Sequence, residues 1–139
     1  IFCYFFTLTQ STQQMVAAVG AWQVSPWVII TVILIGYLIL GCIMDQIAIL
    51  ILTVPIVLPV VKALGFDPVW FGVIVIVVAE VGLLTPPVGL NVFVVARYTN
   101  RPVGEVFAGV WPHVFAHLIL IAILTAFPQI ILWLPNRIG

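Results

Sequence analysis

An all-helical integral membrane protein, with one helical hairpin and one helix broken near its middle, is the fold class that three observations predict. Hydrophobic residues fill 65% of the 139 positions and charged residues only 6%, where a soluble domain carries about 25% charged residues. The mean hydropathy of +1.38 excludes a water-soluble globule. Apolar runs recur at lengths that suit a hydrocarbon core about 30 Å thick, and prolines interrupt two of them at fixed places. At about 1.5 Å per helical residue, the chain has room for at most about five or six crossings. It is read as one membrane domain over residues 1–139.

The first element, residues 1–24, is expected to be the end of a preceding helix followed by a polar connection. Residues 7–14 are uncharged and polar except for Leu8, which suits either an interfacial loop or the lining of a wet cavity. The chain opens without Met and meets no charge before Asp45, so it lacks a basic leader and reads as a piece of something longer.

Ser25-Pro26 opens the next stretch, which stays apolar to Met44, meets Asp45 and Gln46, and resumes through Val61. Each arm is about 24 to 27 Å long by helical rise, and only an acid and an amide separate them. Residues 26–61 are therefore read as a re-entrant hairpin with residues 41–48 at its buried tip, and Pro55 and Pro59 bend the returning arm. Two ordinary spans joined by a tight turn are the competing arrangement, since arms of this length nearly cross a thin bilayer.

Residues 68–98 form the broken helix. Asp67 caps free amides and Pro68 fits the first helical position, so the start is well specified. After about 25 Å of apolar helix comes Thr85-Pro86-Pro87-Val88-Gly89, and the adjacent prolines delete two donors and push Thr85 out of helical backbone. Freed backbone at membrane depth is tolerated only inside protein or beside a cavity, which makes the break a candidate site. Residues 102–109 are expected to lie along the membrane surface, and residues 110–135 to form the final transmembrane helix, with Trp111 and Trp133 as interfacial anchors. Arg97 and Arg101 are topology anchors that the positive-inside rule places in the cytoplasm. The hairpin then opens outward and Lys62 and Arg137 lie on the far side.

Four basic and four acidic residues give no net charge, so nothing here holds nucleic acid or a phosphate-rich surface. Cys3 and Cys42 are isolated, and no nucleophile, base and orienting acid occur at workable spacing, so an enzyme is not expected. His113 and His117 share a helix face, but without a third ligand nearby no transition-metal site is expected, and no organic cofactor either. Gly36 and Gly41 are read as points of close helix packing.

Four motifs in order carry a resemblance: Gly41-Cys-Ile-Met-Asp45, Thr53-Val-Pro-Ile-Val-Leu-Pro59, Leu64-Gly-Phe-Asp-Pro68 and Glu80-Val-Gly-Leu-Leu-Thr-Pro-Pro-Val-Gly-Leu-Asn91. Together they resemble the end of the large, DctM-type permease subunit of TRAP transporters, the tripartite ATP-independent periplasmic solute importers. The resemblance covers nearly the whole chain. It implies the second inverted repeat of an elevator-type secondary transporter of the ion-transporter superfamily, in a bacterial inner membrane. Such proteins are sodium-driven and take C4-dicarboxylates, sialic acid or related organic acids from a periplasmic substrate-binding protein. The implied partners are that protein, a small membrane permease subunit, the N-terminal half of the large permease and the lipid bilayer. A receptor-independent sodium/dicarboxylate symporter and a noncatalytic membrane scaffold are the alternatives.

Within this reading, Gly41, Asp45, Gln46, Thr85, Pro86, Pro87, Gly89 and Asn91 are the candidate ion- and substrate-binding residues. Their carbonyls, hydroxyl and amide oxygens suit a weakly held sodium ion, and half-helix starts suit a carboxylate. The bland counterpart is a proline pair that only kinks the helix, or an Asp45 that only caps. Glu80, whose carboxylate costs about 2.5 to 3.5 kcal/mol at the bilayer centre, is either a coupling carboxylate or a hydrogen-bond tie to a neighbouring helix.

Overall fold

The fold was obtained as a computed structural model, which describes residues 11–21, 24–86 and 89–138, in which every regular element is a helix. The helices run α1 (Ser11–Ala21), α2 (Pro26–Ile43), α3 (Gln46–Ala63), α4 (Pro68–Leu84), α5 (Leu90–Thr99) and α6 (Val103–Ala126), then single turns α7 (Gln129–Leu132) and α8 (Pro135–Ile138). Three of them, α2, α3 and α6, are long and apolar enough to cross a membrane, and α4 is a shorter apolar helix.

Helix α1 departs from the expected polar connection. Ser11 to Gln14, the described part of the polar tract, open a helix that continues through Ala17 and Ala18, and α1 packs against α3. Alanine is the best helix former, and the polar side chains ahead of it do not oppose helical backbone. The remainder of that tract lies outside the described residues.

The chain reverses at Met44 and Asp45, both in extended backbone. Asp45 Oδ2 accepts the Ile47 amide at 3.0 Å, which satisfies one of the orphan donors at the start of α3. Lower down, Tyr37 Oη donates to Thr53 Oγ1 at 2.7 Å, while Thr53 Oγ1 donates to the Ile49 carbonyl at 2.7 Å. This latch ties α2 to α3 as an antiparallel hairpin. Helix α3 runs unbroken through Pro55 and Pro59.

Helix α4 is the centre of the fold. Asp67 Oδ1 accepts the Val69 amide at 2.7 Å, and Pro68 occupies the first turn. Trp70, Phe71, Ile74, Val75, Val78, Ala79, Val81, Gly82 and Leu83 are buried, because α2, α3, α5, α6 and α7 all pack on this one helix. At its start, Trp27, Phe66 and Trp70 form an aromatic cluster with ring centroids 5.0 to 6.3 Å apart, and Trp70 Nε1 donates to the Leu124 carbonyl at 3.1 Å. That cluster joins the start of α2, the α3–α4 turn and the end of α6 at one pole.

The last part of the chain corrects the expected boundaries. Residues 102–109 are not a separate surface segment: Pro102 stands at the N-cap and α6 runs continuously from Val103 through Pro112 to Ala126. A proline inside a helix removes a single amide bond, which the packing on α4 and α5 tolerates. The helix also stops short of residue 135. Phe127 leaves helical backbone (φ −123°, ψ 70°) because Pro128 crowds the residue before it.

Replacing Gly82, whose backbone touches α2, with Ala is expected to lower stability by about 1 to 3 kcal/mol, as overpacking does. Denaturant unfolding in detergent micelles, followed by Trp fluorescence, checks this, and Gly36→Ala, where the space is open, serves as the neutral control.

Candidate functional site

The pole opposite the aromatic cluster is where the hairpin tip meets the end of α4. A Cβ on Gly41 would lie 2.7 Å from the Ala79 carbonyl oxygen and 3.0 Å from Gly82 Cα. One on Gly82 would lie 2.7 Å from both Gly41 Cα and the Leu38 carbonyl oxygen. The two backbones are therefore in direct contact, an approach that only glycine at both positions permits. Gly36, expected to do the same, faces open space.

Two further contacts fix the tip. Gln46 Nε2 donates to the Ile76 carbonyl at 3.3 Å, and Cys42 Sγ lies 3.3 Å from the Leu38 carbonyl oxygen and 3.9 Å from that of Pro86. The Pro86 carbonyl thus points at the tip. This is backbone that the break has freed from the helical ladder.

The break itself begins at Thr85, in extended backbone (φ −97°, ψ 139°), with its hydroxyl donating to the Val81 carbonyl at 2.6 Å and its amide to Gly82 at 3.1 Å. The Thr85 oxygen keeps its lone pairs for a further partner. Gly89 is buried in left-handed backbone (φ 51°), which strains any other residue, and a Cβ there would lie 3.0 Å from the Phe107 ring. It hands the chain from the break to α5, which packs on α6 through Phe93 and Phe107. Pro87 lies outside the described residues.

Of the residues singled out from sequence, Gly41 lies against Ala79 and Gly82, Gln46 reaches the Ile76 carbonyl, and the Pro86 carbonyl lies near Cys42, with Thr85 next to it in the chain. Asp45 is exposed and engaged in capping, and Asn91 is exposed on α5. Glu80 is exposed on a different side of α4 from Gly82, about 200° away at about 100° per residue. Arg97 is exposed, and Arg101 pairs with Glu105 at 3.2 Å between well-exposed side chains. His113 and His117 stand with ring centroids 4.4 Å apart, and no group of three or more metal-capable side chains occurs among the described residues. Sequence reasoning missed Ala79, Gly82 and Cys42. The spacing of Ala79 and Gly82, one helical turn apart on an otherwise bulky helix, was the available signal.

The site is polar backbone framed by small residues, and it differs from the apolar groove of about 640 Å³ between α2, α4 and α6 near Trp27, which offers little but hydrocarbon. An all-helical assembly with three helices long and apolar enough to cross a membrane fits an integral membrane protein. The family model for the DctM component of the tripartite ATP-independent periplasmic transporter matches residues 1–130, and the chain belongs to that family. It is 37% identical over 139 residues to the C4-dicarboxylate TRAP transporter large permease protein DctM of Pseudomonas aeruginosa, covering 100% of this chain and 33% of that protein. To the sialic acid TRAP transporter large permease protein SiaM of Vibrio cholerae it is 39% identical over 112 residues, or 81% of this chain and 26% of that one. To the 2,3-diketo-L-gulonate TRAP transporter large permease protein YiaN of Escherichia coli it is 32% identical over 108 residues, or 78% and 25%. The chain spans about a third or less of the length of these relatives. They are named as transporter permeases, not enzymes.

Asp45→Asn and Asp45→Ala separate capping from charge. Asparagine keeps the cap and leaves stability unchanged, whereas alanine costs about 0.5 to 2 kcal/mol. Thermal unfolding of both variants in detergent measures the difference.

Proposed function

We propose that this chain is the second inverted repeat of a TRAP large permease, importing organic acids across a bacterial inner membrane in an elevator motion coupled to sodium. One observation carries the reading: freed backbone at the Thr85–Pro86 break stands against the hairpin tip, locked there by the Gly41–Gly82 contact. The carbonyl of Pro86, the hydroxyl oxygen of Thr85 and the side-chain oxygen of Gln46 supply hard oxygen donors of the kind an alkali cation takes. Asn91, at the start of α5, adds an amide, and the free amides there suit a substrate carboxylate. In this arrangement residues 26–61 enter and leave on one side of the membrane as a re-entrant hairpin, with its two arms held together by the latch between Tyr37 and Thr53.

Sodium drives transport only if it binds the substrate-loaded hairpin better than the empty one, so that the gradient shifts that equilibrium. The relatives' names span a C4-dicarboxylate, sialic acid and diketogulonate, all carboxylates, and this chain is assigned to the same substrate class. Its expected partners are a small membrane subunit, a periplasmic binding protein and the first repeat of the large permease.

Uptake of labelled organic acids into proteoliposomes tests this, with the full-length permease, its small subunit and its receptor present. Thr85→Ala, losing one ligand oxygen worth about 1.4 kcal/mol, is expected to weaken apparent sodium affinity about tenfold, and Asn91→Ala to reduce uptake as well. Uptake without the receptor would favour the symporter reading, and intact uptake in both variants would remove the break from the site.

A further inference from the structure

Helix α4 is enclosed on most of its circumference by α2, α3, α5, α6 and α7, and one arc is left open. At about 100° per residue, Val69, Val73, Ile76, Glu80 and Leu84 fall within an arc roughly 100° wide, with Glu80 near its middle. Val69, Ile76 and Glu80 are exposed and the other two are half-buried, in contrast to the nine buried residues on the remaining faces. The open arc borders an apolar groove of about 420 Å³ between α3 and α4, where Ile76 forms one wall and Gly72 leaves space in which a Cβ would meet nothing. The shape is that of a seat for one helix.

A carboxylate on that open face, one turn beyond the groove wall at Ile76, sets the chemistry of its occupant. Glu80 makes no hydrogen bond and no ion pair among the described residues, in which the one ion pair joins Arg101 to Glu105. Its neighbours along the face are hydrocarbon, and an ionised group inside a bilayer is held by an opposite charge or a strong donor rather than by lipid. Gln46 of the hairpin tip, whose amide donates to the Ile76 carbonyl on this same face, makes no hydrogen bond to Glu80 among the described residues.

We propose that the open face of α4 receives a single membrane helix from the portion of the full-length permease outside these residues, and that this helix carries a Lys or Arg which pairs with Glu80. The source follows from the layout: every other side of α4 is already occupied by this chain, and the matched residues are only 33% of the Pseudomonas relative. Glu80 is then a docking carboxylate between the two parts of the permease, and the small residue Gly72 lets the incoming helix approach closely, as small residues do in membrane interfaces. The inference rests on membership of the family and is independent of sodium coupling.

The test uses the full-length permease in native membranes with the photo-reactive residue benzoylphenylalanine at Ile76, one turn from Glu80. Illumination and mapping of the adducts by mass spectrometry are expected to mark one apolar helix of the same polypeptide within two turns of a Lys or Arg. Glu80→Lys is then expected to lower the melting temperature by several degrees, and exchange of the mapped basic residue for Glu to recover at least half of that loss. Adducts only on lipid, on the small subunit, or on a helix without a basic residue overturn the proposal, as does a charge exchange that recovers nothing. A sodium-dependent rise in melting temperature that disappears in Glu80→Gln also overturns it, by assigning the carboxylate to the cation. Loss of uptake plays no part in these outcomes, so the sodium-coupling reading stands or falls separately.

Discussion

The contact between Gly41 and Gly82 sets the register of everything around the site. Two helices whose backbones touch cannot slide past each other without a carbonyl or Cα being driven into its neighbour, and here each position would place a Cβ 2.7 Å from opposing backbone. Fixing α2 against α4 at this point fixes where the hairpin turns, because Met44 and Asp45 follow within four residues. It also fixes which carbonyl the tip meets, because Pro86 follows Gly82 by four. The aromatic cluster at the far pole supplies the second point of a two-point clamp, with Trp27 and Trp70 contributed by the same two helices.

Polar groups in this chain are accounted for locally wherever a helix can do so. Thr31, Thr53, Thr85 and Thr99 each donate to the carbonyl four residues earlier, and Asp45 and Asp67 each cap the helix that follows. In hydrocarbon this matters more than in water, since an unmet hydroxyl or amide has no solvent to turn to. Against that background, the residues with polar atoms to spare stand out: the Pro86 carbonyl and Gln46 at the tip, and Glu80 on the open arc of α4. They face different ways. The Pro86 carbonyl lies near Cys42 at the hairpin tip, Gln46 reaches the Ile76 carbonyl, and Glu80 stands on the open arc.

This division gives α4 two roles along one helix. Its small-residue side, Ala79 and Gly82, positions the site through backbone contact. The side bearing Glu80 is the one proposed to meet the rest of the permease, and the same well-packed helix leads from it to the break. Helix α5, set off by the left-handed Gly89 and held by Phe93 and Phe107 on α6, forms the far half of the broken helix. The left-handed Asn100 ends it and lets the chain turn back into α6.

The sequence by itself determined the helical membrane class, the Asp67-Pro68 start of α4, the interruption at Thr85-Pro86 and the reversal near Asp45. Each of these follows from local chemistry: hydropathy over one span, a capping carboxylate, or amides that proline lacks. It also pointed to the family, because four motifs occur in order along the chain. Helical backbone for residues 11 to 14, the fusion of residues 102–109 into α6 and the end of that helix at Ala126 were not legible. There, weak local preferences for loop or helix are decided by packing on α3 and α4 and by the reach of Pro128. Which glycine of α2 touches another helix, and which face of α4 Glu80 occupies relative to the tip, were decided by tertiary structure alone. Both depend on the rotation of one helix against several neighbours, and a linear pattern that is hydrophobic all round carries no phase to reveal it.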